Sequence, residues 1–437
     1  MKRLVLPCIW PYVGPCIGLF VAAVAQAAPG DGFQVSRYAV ALRPDAVTAR
    51  ISGTETLIAA ATDDGVTTLT FSPNGLAITG ATIDGRPIDV NSARDGVTFS
   101  LPHALAKGQV VTLRFHIDGK PARGVTTSGG GLYTSYFACD WMVCLQDAPG
   151  DKADVALDLD VPAGWTTVGV GRERKTRRLP NGQVRHRWRS TRPYSAYLYG
   201  FAAGPFPHQT VGAFTYVDAT GMRTNLAQAF AGTPAIAAFL ADKAGVPLPD
   251  GRYTQVLAPA DEAQEAAGFS LIGAASLDRD RQDPASAWLV AHEMAHQWWG
   301  NLVTCATWRD LWLDEGVTVF LTAAWQQQAS GEDAYRQVLD KARARVERAR
   351  AAGYDKPLAW DGTYPSLGLR RAIQYSKGAL FLAMLREQLG DEAFWKGLRL
   401  FTQSHAGRVV TSRDFETAME TASGKDLAPL FKTWVYG

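Results

Sequence analysis

The feature that most constrains the fold of this chain is the run His292-Glu293-Met294-Ala295-His296, with Glu315 standing nineteen residues past His296 inside Trp312-Leu313-Asp314-Glu315-Gly316. On a helix the two imidazoles, at i and i+4, share one face, and Glu293 lies beside them. For Glu315 to meet the histidines, its own segment must be packed against theirs. Asp283-Pro284 supplies a polar cap followed by proline at a first helical position, and Ala287, Trp288, Ala291, Met294, Ala295 and Trp298 follow at near-helical spacing. A second amphipathic stretch, Leu311 to about Ala329, carries Glu315 in its first turns. Two nitrogen ligands, one carboxylate and one open position make a catalytic zinc site of one ion, not a structural one. His292, His296 and Glu315 are the expected ligands and Glu293 the expected general base. A bare His-Glu-x-x-His arises by accident in roughly one chain of this length per hundred, and the helical context and second motif set this one apart.

The block from His292 to Thr304, followed by Trp308-Arg309-Asp310-Leu311-Trp312-Leu313-Asp314-Glu315-Gly316, resembles the zinc aminopeptidase family of the membrane alanyl, puromycin-sensitive and leukotriene-hydrolysing type. The resemblance implies the same ligands and base. It also implies a catalytic role for Tyr375, which stands in Tyr375-Ser376-Lys377-Gly378 at the head of an apolar helix. In the family that tyrosine stabilises the oxyanion, and one such donor is typically worth about 2.7–4 kcal/mol.

From about Gly32 to Ala203 the pattern is mostly period two. Strands are expected at Thr68–Phe71, Val97–Leu101, Val111–Phe115 and Val155–Leu159, with turns at Asn74-Gly75, Asp84-Gly85 and Asn181-Gly182. Period two ends at Gly204-Pro205-Phe206-Pro207. Beyond it, Thr233-Pro234 opens a helix that should stop near Gly245, Tyr253 to Ala258 reads as a strand, and Asp333 to Ala352 as a highly charged helix. The fold class expected is α+β: an N-terminal antiparallel β saddle or sandwich over residues 32–203, then a thermolysin-like, mainly helical catalytic domain over 204–437. The resemblance covers these two domains only. The helical domain that closes the cavity in many relatives is expected to be missing, leaving the cleft open or covered by a partner subunit or second copy.

Lys2 and Arg3, the apolar stretch Leu4 to Val24 and the small-residue pattern Ala25-Gln26-Ala27 read as an export signal over residues 1–27, placing the mature protein in the periplasm or outside the cell. No stable membrane insertion is expected after cleavage. Cys139 and Cys144 would then be able to bridge, leaving Cys305 as a small buried residue. A net charge of +2 on 437 residues argues against a nucleic-acid partner, and the basic run around Pro180-Asn181-Gly182 reads as one solvated hairpin.

The family's amine-recognition motif, a Gly-x-Met-Glu-Asn stretch on an edge strand, has its counterpart placed at Ala267-Gly268-Phe269-Ser270-Leu271-Ile272-Gly273. Gly268, Phe269 and Ser270 are then the expected substrate-binding residues, with a hydroxyl where relatives carry a carboxylate. A second amine anchor, a glutamine in the family, should fall near Thr134-Ser135-Tyr136, where there is none. Glu262 or Glu265 could substitute from the preceding loop. The expectation is a zinc peptidase acting on peptides or proteins, aminopeptidase-like with altered recognition of the amino end. The alternatives are a zinc peptidase needing no free amine and an exported binding module without turnover.

Overall fold

The computed structural model describes residues 27–222, 224–259, 261–277 and 288–437. The expected export segment before residue 27 and the Asp283-Pro284 helix start lie outside them.

Alternation of side chains decides the first half. Along Val110–Gly119 every second residue is buried, so Val111, Leu113, Phe115 and Ile117 face one core. This strand pairs with Arg50–Ala61, which pairs with Phe33–Asp45, at the centre of a nine-stranded sheet. A three-stranded sheet holding Val66–Phe71 and Gly96–Leu105, and a four-stranded sheet holding Gly131–Thr134 and Phe201–Gly204, are separate layers. Phe33, Phe71, Phe99 and Phe115 stack in sequence between layers, with ring centroids 5.1–5.7 Å apart.

All four expected strands lie within observed ones. One pairing departs from the antiparallel expectation, since Lys152–Val161 runs parallel to Phe33–Asp45. More than a hundred residues separate the two strands in the chain, so no hairpin dictates their direction. Asp84-Gly85 and Gly182 take positive φ as turns require, but Asn74-Gly75 does not. There the Asn74 side chain accepts the Leu76 N–H, which turns the chain without a left-handed residue. Cys139 and Cys144 are bridged, and Cys305 is the free, buried cysteine among the described residues. The basic segments Arg172–Arg178 and Val184–Arg189 form a hairpin whose first strand is exposed throughout. Several of its cations are answered on the sheet, Arg185 by Asp160 and Arg189 by Asp158.

The second half begins with a five-stranded mixed sheet, in the order His208–Val211, Phe214–Asp218, Tyr253–Ala258, Phe269–Gly273, Ala263–Ala266. Helix Thr233–Ala244 ends on Gly245, whose φ of 64° makes the left-handed cap. The motif helix Trp288–Ala295 packs on the strands Phe269–Gly273 and Ala263–Ala266 and on the ligand helix Trp312–Ser330. Its back is fixed by Met294, Ala295, Trp298 and Trp299, all essentially inaccessible. A fully buried apolar side chain contributes roughly 1.5–3 kcal/mol, so this anchor holds the histidines rigidly. The charged helix Glu332–Ala351 runs back along the ligand helix, and Arg371–Lys377 forms a π-helix leading into Gly378–Leu389. The halves meet near the motif, where Tyr197 donates to the Gly300 carbonyl and the Lys152 ammonium to the Thr304 hydroxyl at 2.9 Å. Among the described residues no helix is long and apolar enough to cross a membrane.

Candidate active site

The i, i+4 spacing does what helical geometry demands. His292 Nε2 and His296 Nε2 face each other at 3.3 Å, and Glu315 Oε2 stands 3.5 Å from the first and 3.4 Å from the second. A tetrahedral ion with bonds of about 2.0–2.1 Å separates its ligand atoms by roughly 3.3–3.4 Å, so the triangle is already the size that zinc requires. The ring of His296 is oriented by its other nitrogen, Nδ1, which lies 3.0 Å from the Trp299 carbonyl; donation there leaves Nε2 with its lone pair toward the site. Trp288 stacks on His292 at 4.5 Å. Glu315 Oε2 and Glu293 Oε2 are buried without a hydrogen-bond partner. Unpartnered buried carboxylate oxygens are costly, and a cation between them and the imidazoles removes that cost. The donor set fits one zinc ion.

Charges around the triangle are strongly coupled. Burial alone disfavours a cationic His296, but the carboxylates of Glu265, Glu315 and Glu293 outweigh it and push its pKa up to about 10. Burial likewise works against an ionised Glu315, yet His296 and His292 hold its carboxyl far below the ordinary range. Glu293 is pushed well up, first by burial and then by Glu265 and Glu315, against the pull of His296. A carboxylate raised in this way is closer to a usable base near neutrality.

Tyr375 reaches the same place from the π-helix. Its hydroxyl donates to Glu315 Oε1 at 2.6 Å. Two glycines make that approach possible: a Cβ on Gly316 would stand 2.9 Å from Gly378 Cα and 3.0 Å from the Gln374 carbonyl. The glycines closing Asp314-Glu315-Gly316 and Lys377-Gly378 therefore let the two helices touch backbone to backbone.

The cavity holding these groups has a volume of about 570 Å³. Tyr136, Asp261, Ala263 and Glu265 form its β-side wall; the ligand helix, the charged helix and the π-helix form the other. The structure corrects the placement of the substrate-binding residues. Gly268, Phe269 and Ser270 do not line the cavity. Phe269–Gly273 is an inner strand, flanked by Tyr253–Ala258 and Ala263–Ala266. Ser270 is wholly buried with its hydroxyl on Tyr253, Phe269 is buried in a core cluster, and Gly268 gives its N–H to Gln297.

The carboxylate at the site comes from the edge strand, five residues earlier. One oxygen of Glu265, one of Glu293 and a ring nitrogen of His296 lie within 4.8 Å of one another. Burial pushes the Glu265 carboxyl up to about 7 against the pull of His296. The strand bearing it is clamped at both ends: the Ala263 carbonyl accepts from the Tyr136 hydroxyl, and the Ala266 carbonyl from Gln297 Nε2 and Asn301 Nδ2. Tyr136 itself holds a left-handed backbone, φ 57°, an uncommon conformation for a tyrosine. A signal for Glu265 was present in the alternation Ala263-Gln264-Glu265-Ala266, which buries Gln264 and turns Glu265 the other way. Lys341, Arg345, Arg371 and Gln326 also line the cavity, and sequence reasoning gave none of them a place there.

Residues 235–434 match the peptidase family M1 domain. They include His292, Glu293, His296, Glu315 and Tyr375. This chain has a family M1 peptidase domain. It is 28% identical over 395 residues to a putative aminopeptidase-2 of Caenorhabditis elegans, covering 79% of this chain and 20% of that one. To aminopeptidase N of Lactococcus lactis subsp. lactis it is 35% identical over 156 residues, covering 34% of this chain and 18% of that protein. The chain thus spans about a fifth of the length of these curated relatives. An M1 zinc metallopeptidase from Deinococcus radiodurans superposes with a TM-score of 0.76 at 25% identity, over 94% of this chain and 95% of that one. The β half and the M1 domain together therefore follow the architecture of that two-part neighbour.

Proposed function

We propose that this protein is a zinc aminopeptidase that takes peptides by a free amino end. The observation carrying the proposal is the Glu265 carboxylate, held on a clamped edge strand beside Glu293 and His296. An ammonium group bound there leaves the first peptide carbonyl near the His292, His296 and Glu315 triangle. Bound by those three residues, zinc supplies Lewis-acid chemistry that polarises the carbonyl and activates water. Glu293 accepts a proton from the attacking water and delivers it to the leaving nitrogen. Tyr375, whose hydroxyl already lies at the ligand set, turns from Glu315 Oε1 to the carbonyl oxygen as negative charge develops.

The alternative of a peptidase indifferent to the amino end drew on Ser270 and on the missing glutamine near Ser135; Ser270 does not line the cavity and so gives it no support. A Glu265→Gln variant tests the preferred reading. Hydrogen bonds to charged groups are worth about 1.5–3 kcal/mol, so kcat/KM on free-amine peptides should fall roughly 10–100-fold with zinc content intact. An unchanged kcat/KM would contradict it. We further propose export of the mature chain; the Cys139–Cys144 bridge fits an oxidising compartment. Amino-terminal sequencing of the mature protein should begin at Ala28.

A further inference from the structure

The active-site cavity is polarised. Its β-side wall and centre carry Glu265, Glu293 and Glu315, whereas the opposite wall carries Lys341 and Arg345 from the helix Glu332–Ala351 and Arg371 from the π-helix. Among the described residues none of these three cations lies within ion-pair distance of a carboxylate. Four neighbouring cations on the same elements are paired: Arg336 with Glu332, Arg343 with Asp340, Arg350 and Lys377 with Asp355. Among the described residues Arg345 donates one hydrogen bond, to the neutral Ser376 hydroxyl at 3.2 Å. Desolvation and the like charges of Arg371 and Arg348 push its guanidinium below the ordinary value, as expected for a cation with no local counter-charge.

A second, independent observation lies in the same cavity. Gln326, 4% exposed, lines it from the ligand helix, and its side-chain nitrogen has no hydrogen-bond partner. Gln326 is on the helical face that also brings Glu315 and Val319 to the cavity. A buried amide donor left unmade is costly unless a ligand group meets it.

Position fixes what the cations meet. Arg371 stands four residues before Tyr375 on one helix, and Arg345 is bonded to the residue after Tyr375. Both therefore line the cavity on the side from which Tyr375 enters it. An extended chain advances about 3.3–3.6 Å per residue. With the amino end on the β-side wall, the first or second residue beyond the cleaved bond brings its carboxylate to these cations.

We propose that Arg345 and Arg371, helped by Lys341, form a carboxylate-binding subsite for the leaving side of the substrate, so that the enzyme prefers dipeptides and tripeptides with a free carboxyl end. Guanidinium groups suit this task because their planar donors pair with a carboxylate in two-point fashion. The inference rests on the aminopeptidase reading above. The shared chemistry is a carboxylate in that position, from the chain terminus or from an acidic side chain of the second residue.

The zinc-loaded full chain should be given three substrates sharing one amino-terminal residue: a dipeptide ending in alanine as free acid, the same dipeptide as amide, and its glutamate counterpart as amide. The free acid is expected to exceed the alanine amide in kcat/KM by tenfold or more. Cleavage of the glutamate amide at the free-acid rate would assign the subsite to an acidic side chain; cleavage at the alanine-amide rate, to the chain terminus. Both results support the subsite. In Arg345→Gln and Arg371→Gln the acid-to-amide ratio should fall towards one, and in Arg345→Lys it should be partly kept. A wild-type ratio near one overturns the subsite and leaves the aminopeptidase reading standing. Cleavage of none of the three overturns both. The wild-type ratio decides even where a variant fails to fold.

Discussion

At the scale of single residues, the site is a contest between a proton and a metal ion. Without a metal the surrounding carboxylates push His296 up to about 10, so a proton competes with zinc for its Nε2. Raising the pH removes that competitor. Apparent zinc affinity, measured by chelator competition, should therefore rise between pH 7 and pH 9 with release of a proton, and a flat or falling profile would contradict this account. Glu293→Gln should bind zinc normally yet lose roughly 10²–10⁴-fold in kcat, the usual weight of a general base; retained turnover would remove it from that role. The grouping of His292, His296 and Glu315 was legible in the sequence because a helix converts a fixed interval into a shared face. Glu265 was legible only as one of two possible substitutes, because on a short edge strand the facing residue depends on register, and a shift of an odd number of residues exchanges the two faces. Anchoring the family's motif on Gly268 placed Ser270, an inner-strand residue, where the edge strand supplies a carboxylate.

The elements that matter most are the two that touch through Gly316 and Gly378. A methyl group at Gly316 has backbone on its far side and nowhere to go, so Gly316→Ala must push the ligand helix from the π-helix. Overpacking of this kind typically costs about 1–3 kcal/mol. The account expects a lower Tm together with weakened zinc binding, since Glu315 and Tyr375 sit on the two displaced helices. A lower Tm with unaltered zinc affinity would show that the contact is only structural. Long periodic elements were the most legible: the ligand helix, the charged helix and the four β-half strands lie within a residue or a few of their expected positions. The parallel pairing of Lys152–Val161 with Phe33–Asp45 was not, because strand direction across a long connection leaves no mark on local pattern. Neither was the π-helix from which Tyr375 reaches Glu315, because a local widening of the turn leaves no mark on the apolar pattern.

At the scale of the whole molecule, the cavity is shared. The β half contributes Tyr136, which closes one wall and ties down the strand bearing Glu265, while the M1 domain contributes the metal triangle and the cationic wall. Tyr136→Phe removes the bond to the Ala263 carbonyl and should raise KM for free-amine peptides several-fold with little change in kcat; a change in kcat alone would place it elsewhere in the mechanism. Zinc joins the same parts energetically, since a ligand present at a thousand times its Kd stabilises the folded state by about 4 kcal/mol. The measurement that tests the central claim most directly is a mass-spectrometric digest of one peptide, free and amino-acetylated, with and without a chelator. The account predicts removal of residues one at a time from the free form only, abolished by the chelator and restored by zinc. Equal cleavage of the acetylated form, or cleavage that survives metal removal, would contradict it.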